Sequence, residues 1–102
     1  KRQVVEQPRE HYLTIISQGV FLIMDAKVNV EINGISSGRF SLRDGFVVKV
    51  PTTKIMVVTL SFAFCSQTYN LVLDDSQHDY ELHVSYSRMS GWFKDSYRLF
   101  KV

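Results

Sequence analysis

The feature that most constrains this chain is a period of two in its apolar residues. Val28, Val30 and Ile32 alternate with Asn29, Glu31 and Asn33, which on a pleated strand gives one dry face and one wet face. The alternation recurs at Phe40 and Leu42, at Phe46, Val48 and Val50, at Tyr69, Leu71 and Leu73, and at Tyr80, Leu82, Val84 and Tyr86. Short β-branched and aromatic runs cut by turn residues predict an all-β fold, an antiparallel β-sandwich of seven or eight strands with a C-terminal helix or strand closing one end.

The turns set the expected order. Tyr12–Ile16 reads as a first strand, Ser17-Gln18-Gly19 as a turn and Val20–Met24 as a second strand, broken by Asp25-Ala26. Asn33-Gly34 takes positive φ cheaply and starts a hairpin. Asp44-Gly45 carries the same signal, so Phe40, Leu42, Phe46, Val48 and Val50 are expected on one face of a second hairpin. Pro51 cannot donate to a ladder and closes that strand. Ile55–Phe64 is apolar on both faces, which suits a central strand or a strand buried in a dimer, with Cys65 at its end as a small core residue. Asp74-Asp75-Ser76-Gln77 reads as a turn before the Tyr80–Tyr86 strand.

At 102 residues the chain is one domain. Residues 1–10, KRQVVEQPRE, read as a leading arm or linker, residues 11–87 as the sandwich and residues 88–102 as a basic aromatic segment. The start at Lys-Arg-Gln, without Met or an apolar leader, suggests an excerpt of a longer protein or a processed product. The longest uncharged apolar run, Ile55 to Cys65, is 11 residues, against ~20 for a membrane-crossing helix. A single cysteine makes no internal disulfide and no zinc site alone, so the apolar core must carry the fold.

The net charge of +2 is too small to favour a nucleic-acid partner. It is unevenly placed: Arg88, Lys94, Arg98 and Lys101 against Asp95 give the last fifteen residues +3. There Met89, Trp92, Phe93, Tyr97 and Phe100 fall at helical spacing, with Lys94, Arg98 and Lys101 on another face. Alternation of Tyr97 and Leu99 with Arg98 suits a strand nearly as well, and helix is only slightly the better fit. Trp92, Phe93, Lys94, Arg98 and Lys101 form the candidate interaction surface. Exposed aromatic patches are uncommon on monomers, so a tail folded back over the sandwich is the commoner outcome. Left exposed, the segment would suit peripheral contact with a membrane or an acidic partner.

Chemistry has one dense cluster to draw on, Asp74, Asp75, His78, Asp79, Glu81 and His83. On a strand, Asp79, Glu81 and His83 share the outward face, as a metal-dependent or hydrolytic enzyme could use. Their spacing matches neither a zinc motif nor the calcium loop, and charged strand exteriors are ordinary in antiparallel sheets. No G-x-S-x-G is present, His11 reads as solvated, and Gly34 and Gly38 precede no helix that could cradle a phosphate. The expectation is therefore a non-enzyme with no catalytic residues, no metal and no cofactor.

Val28–Gly38 reads V-N-V-E-I-N-G-I-S-S-G and Leu42–Val50 reads L-R-D-G-F-V-V-K-V. Through Val30, Ile32, Asn33, Gly34, Gly38 and Gly45, the stretch from about Val20 to Tyr86 resembles the PEGA domain, a small β-sandwich module. Asp25-Ala26-Lys27-Val28 stands where the name-giving Pro-Glu-Gly-Ala would be. The resemblance implies an accessory or protein-interaction module of a larger bacterial surface- or membrane-associated protein, extracytoplasmic or membrane-associated in setting and without catalytic residues. A self-associating structural subunit is the other non-enzymatic expectation, its partner a second copy on the spare face of Ile55–Phe64 or on the Trp92 stripe.

Overall fold

The computed structural model describes residues 11–74 and 77–102. The expected leading arm, and Asp75 and Ser76 of the expected turn, lie outside them. Alternation is realised as eight strands: β1 (Tyr12–Gln18), β2 (Lys27–Ile32), β3 (Ile35–Ser41), β4 (Gly45–Pro51), β5 (Ile55–Phe62), β6 (Cys65–Val72), β7 (Tyr80–Ser87) and β8 (Trp92–Lys101). They make two four-stranded sheets, ordered β4-β1-β7-β8 and β3-β2-β5-β6. Every pairing is antiparallel except β1 with β7, which lie far apart in sequence and are free of the hairpin constraint. The fold is the expected all-β sandwich.

The inward set of each strand fills the space between the sheets. Leu13 and Ile15 of β1, Val28 and Val30 of β2, Val58 and Leu60 of β5 and Leu82 of β7 are wholly buried. Each contributes about 1.5–3 kcal/mol of apolar transfer on burial. A one-residue slip would turn every one of them to solvent, and this fixes the register.

Asn33-Gly34 makes the β2–β3 turn as expected, with φ of +52° and +84°. Beyond it Val30 pairs with Gly38 and Glu31 with Ser36, so Ser37 is an extra residue that bulges β3. The expected Phe40–Val50 hairpin does not form. β3 pairs with β2 and β4 pairs with β1, so the chain crosses between sheets at Leu42–Asp44. Leu42 is buried in that corner, and the Arg43 backbone bonds to the β1–β2 connection. The apolar residues still face one core, from opposite sides.

Val20–Met24 is also not a strand. It crosses from one sheet to the other where no neighbour runs beside it, and Val20 N–H to the Arg43 carbonyl, 3.1 Å, is its link to the corner. The long apolar run at 55–64 divides. β5 does lie centrally, between β2 and β6, but it ends at Phe62, and Ala63-Phe64 is the turn of a hairpin. Cys65 therefore begins β6 and is exposed instead of filling the core.

The tail is strand β8, paired along β7, and not a helix. Between the pairs Val84–Tyr97 and Tyr86–Phe93 the register shifts by two residues. That irregularity lets the consecutive Trp92 and Phe93 both enter the core, 8% and 4% exposed. Phe93 meets Trp92, Phe46 and Tyr86 edge-on.

Candidate functional site

The His and acid cluster is split by the fold. Asp79 turns away from the outer face of β7 to accept from His11 Nδ1, 3.1 Å, and from the Tyr12 backbone N–H, 2.9 Å. Its own carbonyl accepts the Val102 N–H, so Asp79 ties the start of β1 to the end of β8. The Tyr12 amide and then His11 hold its carboxyl below the usual range against a smaller opposing cost of desolvation. Glu81 and His83 remain neighbours on the outward face, Nε2 to Oε1 3.1 Å, with the His83 ring edge-on to Phe100. Asp74 and His78 are exposed, and Asp75 lies outside the described residues. Among the described residues no three His, Cys, Asp or Glu side chains converge closely enough to share a metal ion.

The expected interaction surface is also divided. Trp92 and Phe93 are core residues. Lys94, Arg98 and Lys101 are exposed, but residues three apart on a strand face opposite sides, so Arg98 and Lys101 share no face as they would on a helix. Arg98 instead pairs with His83 across the outer face, where Ile16, Gln18, Ser85 and both of these line an open depression of about 300 Å³.

A different site is built by connectivity. β1 and β7 run one way and β4 and β8 the other, and the short β3–β4 corner brings the second sheet's ends into line. Consequently the four connections at residues 19–26, 42–44, 63–64 and 88–91 all lie at one end of the sandwich. His11 and Val102 lie at the other end, joined through Asp79 and Thr52.

The first of these connections is pinned at its base. Asp25 accepts from Ser41 Oγ at 2.7 Å, from the Arg43 N–H at 3.0 Å and from the Ala26 N–H at 2.8 Å, with Lys27 Nζ at 3.6 Å. Led by the Ser41 and Arg43 bonds, these hold its carboxyl down from 3.8 to about 2, against a smaller cost of desolvation. Arg88 reaches across from the β7–β8 turn to the Phe21 carbonyl, 2.8 Å. Val20, Leu22 and Ala26 pack against the core.

With those residues turned in, the others turn out. Phe21 is 78% exposed, Met24 83% and Ile23 90%, while Phe64 and Met89, on the two hairpin turns, are wholly exposed. Phe62 adds a half-exposed ring beside the Phe64 turn. Phe64 is presented at a conformational cost, because Ala63 sits at φ +52°, a left-handed angle that glycine or asparagine normally takes. Lys27, Arg43 and Arg88 are exposed around this apolar end, and among the described residues no carboxylate pairs with Arg43 or Arg88.

Sequence reasoning missed this site because Phe21, Ile23 and Met24 were expected in a strand and Phe64 inside another. Two signals point to it. Val20–Met24 is apolar at every position, with no wet face for an antiparallel strand, and a Gly and an Asp bound it closely. The apolar run from Ile55 to Cys65 is also about twice the ~5–6 residues of a typical strand, leaving room for a turn inside it.

No protein-family model matches the chain, and no curated protein or solved structure matches it.

Proposed function

We propose that this chain is a non-enzymatic interaction module that binds through the loop end of its sandwich. The observation that carries this reading is the set of five large apolar side chains, Phe21, Ile23, Met24, Phe64 and Met89, standing in water on three separate connections at that end. A large apolar side chain gains about 1.5–3 kcal/mol when removed from water, so five together outweigh a substantial cost of association. The strain accepted at Ala63 supports the same reading, since local rules are broken most often at functional positions. The resemblance of the Val28–Val50 stretch to the PEGA domain supports a role of the same class. The metal-dependent or hydrolytic alternative gains no support from Asp79, which is engaged with His11 and Tyr12 away from Glu81 and His83.

An anilinonaphthalene sulfonate titration of the folded protein, followed by amide NMR, tests this. The dye is expected to shift resonances of residues 19–26, 63–64 and 88–91, and the combined variant Phe21→Ser, Ile23→Ser, Phe64→Ser, Met89→Ser is expected to lose the response at an unchanged Tm. Equal dye binding by both proteins would overturn the reading.

A further inference from the structure

We infer that the loop end docks on the interface of an anionic lipid bilayer, with the apolar tips entering the headgroup region. This rests on the interaction reading above and names its partner. Three observations favour a bilayer over a protein.

The first is the way the apolar surface is distributed. Phe21, Ile23 and Met24 stand on one connection, Phe64 on a second and Met89 on a third, each nearly or wholly exposed. Side chains that exposed do not pack on one another, so they stand as separate prongs, and the depression of about 450 Å³ beside them is lined by Lys27, Asn29, Arg39, Ser61, Phe62 and Ala63 and by none of the five. A folded protein partner needs a surface of matching shape, because interface cores are packed as densely as interiors. A fluid interface needs none, and each prong can enter it independently.

Charge is the second. Lys27, Arg43 and Arg88 are exposed beside the prongs, whereas the nearby Asp25 directs its carboxylate inward to Ser41 and two backbone amides. Asp44 is the one exposed acid of these four connections. Apolar side chains rimmed by cations suit anionic headgroups over an apolar layer, each cation near such a surface adding to the attraction.

Third, the prongs are held in place. Arg88 binds the Phe21 carbonyl, Asp25 ties the base of the same connection to the β3–β4 corner, and hairpin geometry fixes Phe64. They are presented together on one end, while His11 and Val102 occupy the other. Prongs prearranged in this way lose less freedom on entering an interface than mobile loops would.

Vesicle flotation tests the inference, with phosphatidylcholine alone or with phosphatidylcholine and phosphatidylglycerol at roughly seven to three. The protein is expected to float with the anionic vesicles roughly tenfold more tightly than with the neutral ones, and less so as salt rises. The combined Phe21→Ser, Ile23→Ser, Phe64→Ser, Met89→Ser variant is expected to lose flotation on both. Arg43→Glu with Arg88→Glu is expected to remove the preference for anionic vesicles, whereas Arg98→Glu on the outer sheet face leaves it intact. No flotation, or flotation indifferent to the prong substitutions, overturns the membrane inference. If the dye still maps to the loop end in that case, the interaction reading stands and the occupant is a protein, a second copy being detected by sedimentation velocity. If the dye does not map there, both readings fall.

Discussion

The Tyr69 hydroxyl of β6 donates to the Lys94 carbonyl of β8 at 2.5 Å, a hydrogen bond that crosses from one sheet to the other. The Tyr97 ring stands edge-on to Tyr69 beside it, centroids 5.4 Å apart. Lys94 lies in the stretch where β8 slips its register against β7, so the carbonyl that Tyr69 satisfies is left over from a ladder. A buried phenol and an irregular edge strand thus stabilise each other.

Tyr69→Phe keeps the ring and leaves that carbonyl without its donor. The expected cost is about 1–3 kcal/mol, read as a fall in Tm of roughly 4–8 °C per kcal/mol. Burial, with the Asp95 charge second, also pushes the Tyr69 hydroxyl up from 10.0 to about 12. A raised value means the folded state favours the protonated form. Stability is therefore full below pH 10.0 and is lost as pH rises through about 12. Absorbance titration of the tyrosines is expected to show one late phase coinciding with unfolding, absent in Tyr69→Phe.

At the acid end the sign reverses. Asp25, held at about 2 by Ser41 and the Arg43 amide, and Asp79, lowered by the Tyr12 amide and His11, favour the ionised form in the folded state. Their contribution is present above the ordinary carboxylate value of 3.8 and disappears as pH falls toward about 2. Urea unfolding midpoints are expected to decline through that window, and Asp25→Asn is expected to flatten the decline while lowering stability at neutral pH. An unchanged acid limb in Asp25→Asn would show that these bonds are not what acid removes.

Two glycines with nearly the same backbone angle separate conformational strain from collision. Gly34 has φ +84° with open space where a side chain would start, whereas Gly45 has φ +82° and a Cβ there would stand 2.7 Å from both the Ser17 carbonyl oxygen and the Gly19 nitrogen. Gly34→Ala is expected to cost about 1–2 kcal/mol, the left-handed penalty alone. Gly45→Ala adds a clash with backbone that cannot swing away, so β1 and β4 must separate where they pair. Its denaturant midpoint is expected to fall well below that of Gly34→Ala, and equal midpoints would refute the argument.

Ala63 offers the opposite experiment. Replacing it with glycine relieves the left-handed angle of +52°, and a gain of up to about 1 kcal/mol is expected once the greater freedom of the unfolded glycine is offset. Phe64→Ser, which touches only solvent, is expected to change stability by less than about 0.5 kcal/mol. A large loss in Phe64→Ser, read by calorimetry, would mean that the ring is structural.

Legibility varied with how local the determining interaction was. β2 is readable in full because Val28, Val30 and Ile32 carry a strict alternation and Asn33-Gly34 is a turn by its own backbone preferences. Ala63-Phe64 is a turn only because β5 and β6 pair around it, so nothing in those two residues announces it. The tail keeps a helical spacing of aromatics, yet β7 requires a partner along its edge, and tertiary pairing overrides the local pattern. The two local signals at Val20–Met24 and Ile55–Cys65 did not mark a site for the same reason: Phe21, Phe64 and Met89 are far apart in the chain and come to one end only through strand order.

Local pattern sets the all-β class, the strands β1, β2, β4 and β7 nearly in full, parts of β3, β5 and β6, and the inward residues of the alternating runs, though not Cys65, Trp92 or Phe93. These follow from a period of two and from turn chemistry, which act within a few residues of chain. Only the tertiary structure decided that β3 and β4 part into different sheets, that β1 and β7 run parallel, and that Trp92 and Phe93 close the core. Pairing energy is nearly the same for many strand orders, so the choice falls to which arrangement buries all the dry faces at once. The same choice gathers five of the exposed apolar side chains, Phe21, Ile23, Met24, Phe64 and Met89, at one end.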